Sequence, residues 1–113
     1  LVYKAVVHYE DVRGGNGLGR DQILSMLKVY YLWNKSELGI EKIGLFGSFA
    51  RDEGRADSDI DIIITLTKPD LFLYSTIAGQ LETVFGRHID LVSSKSTFPA
   101  SFKQRLEKEA IYV

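Results

Sequence analysis

The segment Ser58-Asp59-Ile60-Asp61-Ile62-Ile63-Ile64-Thr65-Leu66 constrains this chain more than any other. Its isoleucines and threonine are β-branched, stiff at χ1 and suited to a pleated surface, so the run predicts a buried central strand. Aspartate fits strands poorly, yet Asp59 and Asp61 interrupt the run two residues apart. Side chains alternate along a strand, so Ile60, Ile62 and Ile64 take one face while Asp59, Asp61 and Ile63 take the other. The isoleucines then pack on helices, and the two carboxylates project together, roughly 6 to 7 Å apart at about 3.3 Å per residue. Two like charges beside apolar structure call for a cation. Oxygen ligands alone favour a hard ion, and Mg²⁺ takes one or two carboxylates together with substrate phosphates and water. The plainer alternative is that Ser58-Asp59 caps a turn at the strand entrance and both acids face solvent.

The flanking residues supply the other layers. Leu1 to Val12 alternates loosely, as a short strand would, and runs into Gly14-Gly15-Asn16-Gly17-Leu18-Gly19. That glycine run lacks the Lys-Ser/Thr ending of a phosphate-binding P-loop, so residues 1–19 are expected to form an arm or flexible linker and 20–113 the domain proper. From Asp21 to about Lys35, Ile23, Leu24, Leu27, Tyr30 and Tyr31 recur at three-and-four spacing, with Trp33 at the margin and Gly39 as a stop. This is an amphipathic helix. Ile40 to Phe46 predicts a strand, Lys68-Pro69-Asp70 breaks the central run, and Leu73, Ile77, Leu81, Val84 and Phe85 mark a second helix closing at Gly86. His88 to Val92 is another strand. Pro99 opens a last helix with Phe102 and Leu106 inward and Lys103, Arg105, Glu107, Lys108 and Glu109 outward, before an apolar end at Ile111 to Val113. The order predicts an α/β fold around a small sheet.

Composition removes several chemistries. There is no cysteine among the 113 residues, which excludes a disulfide scaffold, a Cys-based zinc site and a thiol nucleophile. Lys+Arg 14 against Asp+Glu 15 gives a net charge of -1, so no bulk field draws the chain onto nucleic acid and any phosphate chemistry must be local. No run approaches the roughly 18 to 20 apolar residues of a membrane span, and no basic-then-apolar leader opens the chain. A cytoplasmic protein without stable nucleic-acid or membrane binding is expected.

Two features raise the weight of the acid pair. Gly47-Ser48 ends the strand before it, where glycine permits a tight turn and close approach of a phosphate, and Arg51 lies about one helical turn further on. Arg51 either meets phosphate or pairs with an acid such as Asp52 or Glu53. Asp90 alternates with Ile89 and Leu91 on a later strand and is placed to supply a third carboxylate; an exposed strand aspartate is the alternative. His88 shares the Asp90 face and is read as a structural neighbour of the acids. Ser58 is expected to orient the carboxylate strand, and His8 receives no role.

Gly47-Ser48, ten residues, Asp59-Ile60-Asp61 and a later strand aspartate together resemble the signature of the polymerase-beta-like nucleotidyltransferase superfamily. The string Gly47-Ser48-Phe49-Ala50-Arg51-Asp52-Glu53 through Ser58-Asp59-Ile60-Asp61 is most similar to its smallest branch, the minimal nucleotidyltransferases of prokaryotes. The resemblance spans about residues 20 to 113 and implies a small mixed β-sheet flanked by helices. It implies that Asp59 and Asp61 hold Mg²⁺ on ATP and that Asp90 joins them at a second ion. Gly47 and Ser48 would cradle the β/γ-phosphates, with Arg51 as a further nucleotide contact. The expected reaction is AMP transfer to a hydroxyl. Such proteins are often paired with a helical HEPN-type toxin and neutralise it by adenylylating a tyrosine, which is the leading expectation for the partner. An antitoxin that acts by binding alone, and an enzyme modifying a small molecule such as an aminoglycoside, are the alternatives. Tyr30, Tyr31, Trp33 and Tyr74 offer aromatic surface for a homodimer, or else pack in the core.

Overall fold

A computed structural model describes residues 18–113. The expectations for Leu1 to Val12 and for most of the glycine run lie outside the described residues. The elements in order are α1 (Arg20–Leu38), β1 (Ile40–Phe46), α2 (Gly47–Ala50), β2 (Ile60–Leu66), α3 (Leu71–Phe85), β3 (Ile89–Ser93), α4 (Ala100–Glu109) and β4 (Ile111–Tyr112). The strands form one sheet in the order β3-β2-β1-β4. β2 runs antiparallel to β1 and parallel to β3, and β4 adds antiparallel to the far edge of β1. The sheet is therefore mixed and helix-flanked. The parallel step from β2 to β3 requires a crossover, which α3 supplies.

Local chemistry sets the boundaries. The Gly19 N–H that opens α1 donates to Gln22 Oε1 at 2.6 Å. The helix continues to Leu38, past the expected end at Lys35, because Gly39 is the first residue to adopt the left-handed conformation, φ 68°, which sends its N–H back to the Lys35 carbonyl. α3 starts at Leu71, two residues before Leu73, because Asp70 caps it: its carboxylate accepts from the Phe72 and Leu73 N–H groups at 2.7 and 3.3 Å. β2 starts at Ile60, not Ser58. Ser58 instead closes a turn, its Oγ accepting from the Arg55 N–H at 2.9 Å while its own N–H donates to the Arg55 carbonyl at 3.0 Å.

One sheet face is sealed. Ile60, Ile62, Ile64 and Leu66 pack with Ile43 and Leu45 under α1 (Ile23, Met26, Leu27, Tyr30) and α3 (Ile77, Leu81, Val84, Phe85), all buried. Each such side chain contributes roughly 1.5–3 kcal/mol of transfer free energy. Tyr30 belongs to this core and not to a surface. Its hydroxyl donates to Gln80 Oε1 at 2.7 Å, and burial pushes its phenol above the ordinary value. Tyr31 and Tyr74 are half-buried, donating to the Glu41 carbonyl and to Ser93 Oγ, and of the four aromatics only Trp33 is exposed, at 45%. The aromatic surface expected for self-association is thus mostly core.

The opposite face is covered over part of its length. Phe46, Ile63 and Leu106 are buried there against Val92, Phe98, Phe102 and Ala110. Phe102 meets Phe46 edge-on, with centroids 6.2 Å apart. Phe102 and Leu106 therefore face inward as their spacing predicts. Glu109 departs from expectation: its side chain is only 16% exposed, because it turns in toward Arg51. Among the described residues no helix is long and apolar enough to cross a membrane.

Candidate active site

The site lies at the end of the half-covered face that α4 leaves open. Asp61, second residue of β2, is the register partner of Phe46 on β1 and of Asp90 on β3. Parallel strands in register point partner side chains the same way at roughly 4.8 Å spacing, so Asp61 and Asp90 stand side by side. Burial comes first in raising Asp61, then the charge of Asp90, the charge of Asp59 and a hydrogen bond shared with Asp90; the nearby Arg51 opposes them. The result is a carboxyl pushed up from its usual 3.8 to about 6. The shift reports burial first and neighbouring negative charge second.

Asp59 precedes the strand and not, as the spacing suggests, within it. The alternation from Asp61 does not fix its direction, and its Oδ2 lies 3.4 Å from His88 Nδ1. His88 Nε2 in turn is 4.0 Å from Glu82 Oε2. The backbone repeats this link, since the Ile60 N–H donates to the His88 carbonyl at 3.1 Å. His88 is thus a neighbour that engages Asp59, in keeping with the role its position suggests.

Gly47 turns out of β1 into α2 with φ 75°. A Cβ there would stand 2.8 Å from Asp61 Cγ and collide with the carboxylate oxygen beyond it. Only glycine satisfies both the backbone angle and the space. Ser48 follows, half-buried, and its carbonyl accepts from the Glu53 N–H at 2.8 Å, which folds the next loop back over the helix. Arg51 resolves its two readings toward acids in this structure. Its Nε donates to Glu53 Oε1 at 3.1 Å, and its Nη1 donates to both Glu109 oxygens at 2.9 and 3.1 Å. Of the two nearby acids the sequence offers, Glu53 is the one that Arg51 bonds, and Glu109 is not legible there because its tie to Arg51 spans 58 residues.

Among the described residues no three acid or imidazole groups converge to metal-ligating distance, and Asp59 lies against His88. The donor chemistry nonetheless fits a hard divalent ion. Asp61 and Asp90 present only oxygen, the donor type that hard divalent ions take, and they stand in register on neighbouring strands. A cavity of ≈ 400 Å³ opens elsewhere on this face, between Ile63, Ser94, Phe98, Leu106 and Tyr112, and none of the three aspartates lines it.

Sequence reasoning also missed Arg87. Its Nη1 donates to the Arg55 and Ser58 carbonyls at 2.9 and 3.1 Å, and its guanidinium lies 5.2 Å from the Phe49 ring centroid. No local pattern reveals a partner that is another segment's backbone.

Comparison with known proteins bears on the family and the fold. The family model described as polymerase beta nucleotidyltransferase matches residues 31–113. The protein adenylyltransferase MntA of Thermococcus cleftensis is 31% identical over 94 residues, covering 82% of this chain and 94% of its own. A solved candidate minimal nucleotidyltransferase superposes with TM-score 0.70 at 26% identity, covering 86% of this chain and 98% of that one. A complex of tri-AMPylated Shewanella oneidensis HEPN toxin with MNT antitoxin contains a chain of the same fold, with TM-score 0.57 at 20% identity over 82% of this chain and 70% of that one. With a family model matching residues 31–113 and the mixed sheet shared with a solved relative, the chain belongs to the polymerase beta nucleotidyltransferase family.

Proposed function

We propose that residues 20–113 form a cytoplasmic adenylyltransferase domain that transfers AMP from ATP to a tyrosine hydroxyl of a helical HEPN-type toxin, and so acts as its antitoxin. The observation that carries this reading is the register pairing of Asp61 with Asp90 against the Gly47 turn. It puts a carboxylate pair directly against the Gly47 backbone, with the Asp61 side chain taking the space a Cβ would need. The names of the Thermococcus relative and of the Shewanella complex support the choice of adenylyl transfer and of partner.

Asp59 and Asp61 would hold one Mg²⁺ on the triphosphate, and Asp90 would join them at a second. When bound, two such ions supply the positive charge that offsets the attacking and leaving oxygens of an in-line displacement. Gly47 and Ser48 would orient the β/γ-phosphates, through the tight turn and the Ser48 hydroxyl. Arg51 stands ready as a phosphate contact, held meanwhile by Glu53 and Glu109. His88 keeps Asp59 placed, and Ser58 shapes the turn before it.

The test uses ATP labelled at the α-phosphate, Mg²⁺ and the partner toxin. Wild type should label a toxin tyrosine, and Asp59→Asn/Asp61→Asn should lower that transfer by about a thousandfold, the effect of losing several kcal/mol of charge stabilisation. A double variant that neutralises the toxin as well as wild type would instead make this a binding module. Label found on a small hydroxyl compound and never on protein would identify a small-molecule enzyme.

A further inference from the structure

Arg87 follows Gly86, the residue that ends α3, and its side chain turns over the loop between α2 and β2. One nitrogen, Nη1, donates to two carbonyls of that loop, Arg55 at 2.9 Å and Ser58 at 3.1 Å. The central carbon of the same group lies over the Phe49 ring, 5.2 Å from its centroid. Phe49 is buried at 3% exposure and sits in α2 directly after Ser48. A second contact seats the loop on that ring, because a Cβ at Gly54 would run into Phe49.

Asp59 is consequently gripped on both flanks. On one side the Ser58 carbonyl accepts from Arg87, and on the other the Ile60 N–H donates to the carbonyl of His88, the next residue. Arginine suits this place because a planar guanidinium donates in a fixed fork and stacks on a ring at once, whereas an ammonium is a hydrated point charge.

We infer that Arg87 is a positioning residue that couples the Gly47-Ser48 turn to Asp59, acting through Phe49 on one side and Ser58 on the other. It rests on the reading of Asp59 as a metal-holding carboxylate. Without the guanidinium the loop loses its clamp, and the Asp59 carboxylate spreads over more positions than a metal site tolerates. Partners that orient ligating side chains set metal affinity by roughly 10- to 100-fold.

The experiment compares the wild-type chain with Arg87→Met and Arg87→Lys. Mn²⁺ binding is followed by the spectrum of the free ion in the presence of a non-hydrolysable ATP analogue, and backbone hydrogen exchange is read over residues 55–60. Arg87→Met should bind Mn²⁺ at least about tenfold more weakly and exchange faster over 55–60, with β1 and α1 unchanged. Arg87→Lys should fall between it and wild type, and it carries the test if the methionine variant does not fold. Wild-type Mn²⁺ affinity in a folded Arg87→Met, or in Arg87→Lys where only that folds, overturns the coupling role whatever the melting temperature. A wild-type chain that binds no Mn²⁺ under these conditions overturns the metal reading of Asp59 first, and the coupling role with it.

Discussion

The two faces of one sheet are built to opposite rules. On the sealed face Ile60, Ile62 and Ile64 of β2 are buried under two long helices. On the other face the same strand offers Asp61 and then Ile63, and a single ten-residue helix covers only the latter. The first face removes apolar surface from water, which is where most folding free energy originates. The second leaves a carboxylate partly buried among other carboxylates, a local cost that the first must offset. One strand thus divides stability from chemistry by the pleat alone, and the strand order places its acid beside that of β3.

Truncation should show the largest contrast between the faces. Ile62→Ala is expected to cost about 2–5 kcal/mol in urea unfolding, the range for a cavity in a close-packed core. Ile63→Ala should cost at most about 2 kcal/mol, since Ile63 borders the open cavity under α4 and its surroundings can close up. Equal losses would mean that α4 seals its face as tightly as α1 and α3 seal theirs.

Glycines sharpen the comparison at a smaller scale. Gly47→Ala should lose about 1–3 kcal/mol from the positive φ and push the Asp61 carboxylate aside, so nucleotide-dependent activity falls along with stability. Gly79→Ala, on the outer side of α3 with open space around it, should gain about 0.5–1 kcal/mol and leave activity unchanged. Melting curves and a transfer assay on both variants distinguish an active-face requirement from a general effect of added methyls.

A pH dependence confined to the acid face gives a further contrast. The folded chain holds the Asp61 proton up to about pH 6, whereas the unfolded chain releases it near 3.8. Between those values the folded state binds more protons, so this group's contribution to stability declines as pH rises through the window and has been lost above about 6. Asp61→Asn mimics the protonated form. In metal-free buffer it should melt above wild type at pH 7.5, with the gap closing as the pH approaches 4. A gap independent of pH would assign the gain to packing and not to charge.

The sealed face and the acids were legible in the sequence because they rest on period-two alternation within single segments. Asp61 and Asp90 follow from it directly, and so does the mixed composition of β2. Asp59 was placed on the strand by the same rule and lies before it, because Ser58 and Arg55 close a turn that alternation does not encode. Arg87 and Glu109 were invisible for another reason. Their partners lie 29 to 58 residues away, and only the packing of α3 and α4 on the sheet brings them together. Helix ends were legible to within a few residues, with Asp70 and Gly39 setting the true limits.

The in-register pairing of β2 with β3 also bears on how the chain reaches its fold. If β3 docked one residue out of step, Asp90 would swing into the isoleucine-lined side, and an unpaired carboxylate in such surroundings costs many times what a mispacked methyl does. The acids therefore penalise the wrong alignment far more than they burden the right one. Replacing Asp90 with an apolar residue would remove that penalty, and with it a proofreading step in the assembly of the sheet.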